Sequence, residues 1–274
     1  LDILSNKDEF DINLLFTPGV IASLHSSTVN DAIEMCETRG DVMYVFDIGE
    51  IGDSIMTVTA TAADYDTNYA ATYYPWLQKF DANTNQYIWV PASTLMAGVF
   101  SYNDKVGYEW YAPAGLNRGG ISDATDVYIK VSQLERDDLY ENRVNPIAQF
   151  PNQGIVAWGQ KTLQVKSSAL DRINVRRLLI NAKKFVIKTG RIIVFDQNTS
   201  ITRNKFKNAV NPYFESVQQR NGVYAFRIIM DDSNNPPDII DENKIIGDIW
   251  LQPTKTGEFV LISFNLTKTG VSFT

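Results

Sequence analysis

The chain has 274 residues, 44% of them hydrophobic and 21% charged, which is typical of a folded globular protein and excludes low-complexity, collagen-like and wholly disordered chains. No stretch approaches the ~20 consecutive apolar residues of a membrane span, so no membrane insertion is expected. Residues 1–150 hold 8 Lys and Arg against 22 Asp and Glu (net −14), and residues 151–274 hold 17 against 10 (net +7). The total of −7 disfavours direct nucleic-acid binding, and the polarity predicts that the two halves meet different surroundings.

The start of the chain predicts an alternation of helix and strand. Residues 1–28 form a polar lead in which Pro18-Gly19 marks a turn. Apolar positions at helical spacing predict a short helix over 29–39. Residues 42–48 are a near-continuous apolar run, typical of a strand that is covered on both faces. This alternation favours helices packed on a sheet.

The rest of the first half mixes short strands, helices and a long loop. Its predicted elements are, in order, a weak helix within 57–70, strands over Ala70–Leu77 and Gln86–Val90 joined by a turn at Asp81–Asn85, a helix from Pro91 to about Asn103, an ordered loop over 104–126 and a surface helix over Val131–Arg143.

The second half has the strongest helical pattern of the chain, over Ala169–Lys188, where basic side chains flank an apolar stripe. Its other predicted elements are a strand over Gly154–Trp158, a helix over Thr202–Arg220 with an interior Pro212, and strands within 223–230, 244–252 and 258–267.

These elements predict a mixed α/β fold in which a mixed sheet is flanked by helices. The predicted divisions are a leading segment or linker from a missing N-terminal part over 1–28, a first α/β part over 29–150 and a C-terminal part over 151–274. A single interlocked α/β unit is the alternative.

Motifs of the common catalytic and nucleotide-binding classes are missing from the sequence, namely the P-loop, G-x-G-x-x-G and G-x-S-x-G. The only cysteine, Cys36, lies on the apolar stripe of its helix, and with His25 as the only histidine a multi-histidine metal centre is excluded. Asp231-Asp232 follows an apolar strand as an acidic site would, although the residues after it favour a turn. An α/β enzyme with a site near Asp231 is therefore the alternative to a non-enzyme, and no cofactor is predicted.

Two kinds of side chain stand out. Aromatic residues cluster at Tyr73-Tyr74-Pro75-Trp76 and at Tyr108–Tyr111, with Trp158 as a third site, and each is either core or a contact surface. The basic side chains of Ala169–Lys188 form either a solvated face or a docking surface for an acidic protein surface or for nucleic acid. The residues predicted to dock by charge are Arg172, Arg176, Arg177, Lys183 and Lys184.

Taken in order, several segments resemble the contractile tail sheath proteins of bacteriophages, a family that also covers phage-like bacteriocins and type VI secretion sheaths. The matching segments are Tyr73–Trp76, Val90–Ser93, Ala97–Val99, Trp110–Leu116, Asn145–Ile147, Gly154–Gly159, Thr162-Leu163 and Ile173–Arg177. Their residues expected in the core or at an interface are Tyr73, Tyr74, Pro75, Trp76, Pro113, Gly115, Trp158 and Gly159. Gln160-Lys161 departs from the Ala-Arg that such sheaths often carry.

The resemblance implies a structural subunit of the virion tail, assembled in the host cytoplasm, that forms stacked hexameric rings around a tail tube. Contraction of the sheath would drive the tube through the host envelope. The implied partners are further copies of the chain, the tail tube protein, and baseplate and tail terminator proteins. A sheath of a related contractile injection system is the alternative. Our hypothesis is that the basic helix over Ala169–Lys188 faces the tube or lies next to it.

The resemblance also implies that arms of neighbouring subunits add strands to a shared sheet. Here Glu258–Thr267, between Gly257 and Gly270, is the best candidate for the exchanged strand. The residues assigned to the exchange are Glu258, Phe259, Val260, Leu261, Ile262, Ser263 and Phe264.

Overall fold

The computed structural model describes residues 1–258. Its strands are β1 (Leu14–Ile21), β2 (Met43–Asp47), β3 (Ala70–Tyr74), β4 (Leu77–Asp81), β5 (Gln86–Val90), β6 (Ala124–Val127), β7 (Asn145–Phe150), β8 (Gly154–Ala157), β9 (Val223–Ile229) and β10 (Asp248–Pro253). Its helices are α1 (Asp2–Ser5), α2 (Ser26–Arg39), α3 (Ile55–Ala63), α4 (Ala92–Val106), α5 (Gln133–Glu141), α6 (Ile173–Gly190), α7 (Ser200–Gln219) and α8 (Pro237–Asp241), with a 3-10 turn over Ala169–Asp171 before α6.

A five-stranded sheet in the order β1-β2-β3-β7-β8 forms the centre of the molecule. Its first four strands run parallel, and β8 returns antiparallel to β7. Strand β2 is buried along its whole length, with Tyr44 and Phe46 in the core on one face and Met43 and Val45 in the core on the other. The predicted mixed sheet flanked by helices is confirmed.

Helices cover both faces of this sheet. On one face, α2, α3 and α5 contribute Val29, Val58 and Leu139 to the apolar core. On the opposite face, α4 and α6 contribute Phe100 and Ile173. Because each face has its own packed core, the central strands are shielded from water on both sides, as the apolar run over 42–48 predicts.

Residues 14–21 differ from the predicted polar lead. They form β1, an edge strand that runs parallel to β2 with Leu14 opposite Met43. The register shifts between Phe16 and Ile21, where Pro18-Gly19 forms a bulge and Gly19 takes a φ of 84°. A proline fits an edge strand because it lacks an N–H, and the outer side of an edge strand needs no N–H donor for a neighbouring strand. The Pro-Gly pair therefore marks a bulge in a strand and not the turn that the sequence predicts.

The predicted strand Ala70–Leu77 is in fact two strands in two sheets. Strand β3 ends at the cis peptide bond between Tyr74 and Pro75, and β4 starts at Leu77 in a separate three-stranded sheet with the order β5-β4-β6. The predicted turn at 81–85 thus joins β4 to β5. The sequence prediction also omits β6 and β7.

The C-terminal part of the described chain forms a second, smaller layer. Its helix α7 contributes Phe206, Val210 and Phe214 to a core shared with the antiparallel pair β9–β10. Pro212 lies inside α7 without dividing it. Strand β10 alternates between exposed and half-buried residues, as the sequence predicts, and Trp250 on its outer face is 65% exposed.

Three further predictions have different outcomes in the structure. The helix predicted over Ala169–Lys188 begins at Ile173, after the 3-10 turn. Apart from Glu258, the predicted strand 258–267 lies outside the described residues. The division near residue 150 stays a prediction, with β7 and β8 paired across it in one sheet. Within residues 1–258, no helix has both the length and the apolar character needed to cross a membrane.

Candidate functional site

Three of the eight segments that carry the resemblance, Trp110–Leu116, Asn145–Ile147 and Gly154–Gly159, contribute residues to one groove beside β8, which has a volume of about 360 Å³. Its walls come from the loop 112–118, from Arg136 and Tyr140 of α5, from residues 158–160 after β8 and from residues 256–258. The groove therefore brings together three of the family segments and Glu258, the first residue of the predicted exchange strand.

The buried side chain of Asn145 holds the chain together at this groove. Its Nδ2 donates hydrogen bonds to the carbonyl oxygens of Thr72 (3.0 Å) and Lys161 (2.8 Å), and its Oδ1 accepts one from the Lys161 N–H (2.6 Å). Gly159 leaves room for these bonds, because a Cβ there would lie 2.8 Å from Asn145 Oδ1. The predicted motif residue Gly159 is thus required by close packing.

The loop around Gly115 closes the outer edge of β8. Gly115, at a φ of 79°, donates its N–H to the Ala157 carbonyl at 2.9 Å, and the Ala157 N–H donates to the Gly119 carbonyl at 2.8 Å. Pro113 is buried in the same loop. Because these bonds occupy the backbone groups of Ala157, this part of the edge is closed to a further strand.

The second aromatic cluster joins the central layer to the C-terminal layer. The rings of Tyr108 and Trp110 are stacked with centroids 4.7 Å apart, and the Arg220 guanidinium lies 4.7 Å from the centre of Tyr108. Trp110 Nε1 and the Tyr111 hydroxyl both donate to the Arg220 carbonyl, at 3.1 and 3.2 Å. A Cβ on Gly222 would come within 3.1 Å of the Trp110 ring. These contacts lie within one chain.

The first aromatic cluster is largely internal. Tyr73 and Tyr74 are buried, and Trp76 Nε1 donates to the Gly49 carbonyl at 3.0 Å. Burial raises the pKa of Tyr74 to about 12, so its hydroxyl stays protonated and donates to the Asp53 carbonyl at 2.7 Å. Of the two interpretations that the sequence leaves open, the structure favours core for this cluster.

Trp158 differs from the other motif aromatics because it is 41% exposed at the groove. It meets Phe150 edge to face at 4.7 Å, and the Arg136 guanidinium lies 5.3 Å from the centre of the Phe150 ring. An exposed tryptophan supported by a second ring has the character of an interface anchor.

Two arginines of the basic helix point into the molecule. Arg177 pairs with both carboxylate oxygens of Asp104, at 2.8 and 2.6 Å, and lies over the Phe100 ring. Arg176 lies 4.0 Å from the centre of the Tyr69 ring. Both arginines are 4% exposed, so neither belongs to an open cationic face. Burial lowers the pKa of Arg176 from its ordinary value.

The two predicted lysines have different surroundings. Lys184 reaches Asp11 Oδ1 at 2.6 Å and the Ile12 carbonyl at 2.7 Å, and so holds the N-terminal segment. The amine lowers the pKa of Asp11 by a hydrogen bond and by its charge. Lys183 is exposed and lies 3.5 Å from the Tyr69 hydroxyl. Lys183 is therefore the most accessible of the five predicted docking residues, and the docking role itself stays a prediction.

The fifth, Arg172, pairs with Glu258 beside the groove. Arg172 Nε and Nη2 lie 2.7 and 3.0 Å from the two Glu258 oxygens, and Gln160 Nε2 donates to Glu258 Oε1 at 3.0 Å. Burial alone raises the pKa of Glu258, but the hydrogen bonds from Arg172 and Gln160, with the arginine charge, bring it below its ordinary value. The carboxylate is thus held ionised in a partly desolvated place.

Asp231 and Cys36, the residues considered for an enzyme, lie in a turn and in the apolar core. Asp231 Oδ1 accepts hydrogen bonds from the Ser233 hydroxyl at 2.5 Å and from the Ser233 N–H at 2.9 Å, in the turn that the sequence favours. These two bonds lower the pKa of Asp231. Burial raises the pKa of Cys36 to about 12, which keeps the thiol protonated and unreactive. Within residues 1–258, no three His, Cys, Asp or Glu side chains are grouped as metal ligands.

The sequence matches known sheath proteins. The model of the family described as phage tail sheath protein central domain matches residues 1–163. The tail sheath protein of Vibrio phage KVP40 is 35% identical over 218 residues, which are 80% of this chain and 31% of that protein. The tail sheath protein of Enterobacteria phage T4 is 28% identical over 250 residues, 89% of this chain and 38% of that protein. The chain thus spans about a third of the length of these curated relatives.

Solved structures share the fold. The sheath complex of an extracellular contractile injection system, PVC, in its contracted state aligns with a TM-score of 0.80 at 25% identity, over 93% of this chain and 71% of that chain. A chain of the anti-feeding prophage baseplate aligns with a TM-score of 0.79 at 22% identity, over 95% and 70%. The family model matches more than half of the sequence and the Vibrio phage KVP40 relative is 35% identical over 80% of the chain, so the chain belongs to the phage tail sheath protein family.

Proposed function

We propose that the chain is part of a structural subunit of a contractile phage tail sheath, which polymerises as stacked hexameric rings around the tail tube. Contraction of the polymer drives the tube through the host envelope, with no catalytic step and no cofactor. Family membership supports this function, and so does the fold shared with a sheath complex in its contracted state. The relatives at 28 and 35% identity are phage proteins, which favours a virion tail over a related injection system.

The observation that carries the proposal is the incomplete sheet of the C-terminal layer. Among residues 1–258, β9 and β10 pair only with each other, so each strand has one outer edge without a partner. A two-stranded sheet is marginal by itself, and an open edge is a template for a strand of another chain. A strand from a neighbouring subunit fits such an edge through backbone hydrogen bonds, each contributing about 0.5–1.5 kcal/mol net.

The segment proposed to supply that strand is Glu258–Thr267. Its sequence alternates in part between apolar and polar residues, as half-buried strands do, and Gly257 and Gly270 bound it. Because backbone bonds do not depend on side chains, such a link can persist while the side-chain contacts between subunits change partners. That property is what a lattice needs in order to contract without falling apart.

We propose Lys183 as the first docking residue to test on the basic helix. Exposed ion pairs are worth less than about 1 kcal/mol each, so contacts made through such a residue are releasable. In Lys183→Glu, we expect the subunit to unfold at the wild-type urea concentration and to assemble less on tail tubes. Normal assembly on tubes would exclude Lys183 from that contact.

Electron microscopy of the full-length protein tests the function directly. We expect hollow, striated cylinders that form in a concentration-dependent manner without metal or nucleotide. Particles that stay monomeric at every concentration, in the presence and absence of tail tubes, would contradict the proposal. The same images test the proposed contacts with tube, baseplate and terminator proteins, which should lie inside and at the two ends of the cylinders.

A further inference from the structure

The five residues after β10 are pinned to their own subunit at both ends. Thr254 Oγ1 donates to the Asn221 carbonyl at 2.5 Å, in the C-terminal layer. Glu258 accepts from Arg172 and Gln160, in the central layer. Residues 254–258 therefore cross from one layer to the other without forming a helix or strand, and side-chain bonds hold them at the far end.

We propose that Arg172, Gln160 and Glu258 form an anchor that keeps residues 254–258 on their own subunit, so that strand exchange begins only after Glu258. The exchange itself belongs to the proposed function, whereas the anchor is a property of the single subunit. Glu258 then has a different role from residues 259–264, with which the sequence analysis groups it. It marks the point where the exchanged strand starts.

The surroundings of the three side chains favour the paired arrangement. The side chains of Arg172 and Glu258 are 26% and 17% exposed, and Gln160 is 3% exposed. A half-buried charge that loses its partner keeps its desolvation penalty, so the closed pair is strongly preferred over an open one in which either charge stays buried. Gln160 has one possible orientation, because the Glu258 carboxylate and the amide oxygen are both acceptors and only Nε2 can face the carboxylate.

Charges around the pair also favour the closed arrangement. Lys161 and Arg172 lie over the same Tyr140 ring, at 4.5 and 5.8 Å, so two cations share one small region. Asp171, which is 3.0 Å from Arg172 Nη1, and Glu258 are the carboxylates that contact Arg172. Removing Glu258 would leave Asp171 as the only carboxylate in contact with Arg172 among the described residues.

An anchor at this position fixes how far the exchanged strand can reach. A chain extends by at most about 3.3–3.6 Å per residue. If residues 254–258 came free, five residues would add roughly 17 Å of slack between β10 and a neighbouring subunit. That slack exceeds the ~4.8 Å spacing of adjacent strands by more than threefold, so an unanchored segment could no longer fix the spacing of the linked subunits.

Charge exchange tests the anchor in the full-length protein. The variants are Arg172→Glu, Glu258→Arg and the double variant that swaps the two charges, with Glu258→Gln as a mild change. Lys255 is exposed within the pinned segment, so cleavage after it by a lysine-specific endoprotease, followed by mass spectrometry, reports release. Cleavage of a transiently open segment tracks the open population.

We expect cleavage after Lys255 to be roughly tenfold faster in each charge-reversed variant and to return towards the wild-type rate in the double variant. Glu258→Gln should be intermediate. Arg191→Glu is the matched control, because Arg191 pairs with Asp8 at 2.6 Å on the open surface, and its cleavage rate after Lys255 should equal that of the wild type.

Unchanged cleavage in Arg172→Glu would overturn the anchor, whether or not the protein forms cylinders. Faster cleavage in both single variants without recovery in the double variant would also overturn it, because the effect would then be general destabilisation. Faster cleavage that the swap corrects, in a protein that never polymerises, would support the anchor and reject the proposed sheath function.

Discussion

The central sheet and the C-terminal sheet of the described chain differ in how fully their strands are paired and covered. In the central sheet, β2 is buried along its whole length and has a partner strand on each side. In the C-terminal layer, β9 and β10 pair only with each other within residues 1–258, and every second residue of β10 is exposed. The central sheet also has an edge strand, β1, but it has five strands and a packed core on each face, whereas the C-terminal sheet has two strands and one packed face.

From this difference we expect contacts between copies to change at the C-terminal layer without unfolding of the subunit. Helices on both faces give the central sheet two packed cores. The smaller layer buries one face only, against α6 and α7, and leaves Trp250 outside. Contacts between copies are therefore expected at the second layer, and damage to the first is expected to unfold the subunit before it affects assembly.

The largest effect is expected in the central sheet, from Phe46→Ala. Phe46 is fully buried and stacks on Tyr44 with centroids 5.2 Å apart. Losing a buried aromatic side chain costs about 3–5 kcal/mol, which urea unfolding would measure. Phe80→Ala on β4 is the control, since Phe80 is 41% exposed and its loss should cost far less. Equal costs at the two positions would show that the central sheet is not the main source of stability.

A smaller loss is expected from Asn145→Ala, which breaks the junction of β3, β7 and the chain after β8. The change removes two donated bonds and one accepted bond, and leaves the Lys161 N–H without its partner. An unsatisfied buried group costs about 1–3 kcal/mol, so the free energy of unfolding should fall by roughly 2–4 kcal/mol. Asn208→Ala, at an exposed position within α7, is the control and should cost less than about 0.5 kcal/mol.

The pH dependence of the free energy of unfolding distinguishes Asp47 in the central core from Glu258 at the anchor, because their pKa values shift in opposite directions. Asp47 accepts from the Ser93 N–H and Oγ at 2.9 and 2.7 Å, yet burial outweighs these bonds and raises the pKa of Asp47. The folded state then holds a proton that the unfolded state releases above its ordinary pKa of about 3.9. Asp47 thus lowers the free energy of unfolding as pH rises from there to its folded pKa.

We therefore expect the stability of Asp47→Asn relative to the wild type to increase as pH rises through that window, by at most about 1.4 kcal/mol per pH unit. Urea unfolding from pH 3.5 to 6 measures it. Glu258 has the opposite sign, because its folded pKa is lowered. Its contribution is complete above its ordinary pKa and is lost as pH falls through the folded value. If the difference in free energy of unfolding between Asp47→Asn and the wild type did not change with pH, ionisation of Asp47 would not contribute to the pH dependence of stability.

Periodicity predicts the elements that local sequence determines. The helix over 29–39 ends where Gly40 takes a φ of 67°, and the apolar run over 42–48 becomes β2. The errors arise where tertiary pairing decides. Pro18-Gly19 has the pattern of a turn, and only pairing with β2 makes it a bulge within β1. Strand β3 and strand β4 form one apolar run in the sequence, yet β3 pairs with β2 and β7 in the central sheet and β4 pairs with β5 and β6 in another.

The candidate site likewise contains residues that the sequence identifies and contacts that it does not predict. Gly159 is identified by its motif, and the structure adds the reason, since Asn145 fills the space that a side chain would need. The arginines of α6 have the sequence pattern of an open cationic face, yet Arg177 meets Asp104, which is 73 residues away along the chain. Nothing in the local sequence marks such a partner. Charge patterns therefore predict that a helix needs anions nearby and do not predict which molecule supplies them.

The smallest effect on the subunit, and the sharpest test of the comparison, is expected from Trp250→Ala. Trp250 lies opposite Arg227 on the outer face of the β9–β10 sheet and is 65% exposed, so its removal should change the free energy of unfolding by less than about 0.5 kcal/mol. Exposed tryptophans are typical anchors of protein interfaces, so the yield of sedimenting polymer should fall well below that of the wild type. Tyr87→Ala on β5, where the ring is 61% exposed, is the matched control and should polymerise more normally than Trp250→Ala. If Trp250→Ala polymerised as well as the wild type while Tyr87→Ala failed, the sheet that copies share would be the one formed by β4, β5 and β6, and the C-terminal pair would lose its assigned role.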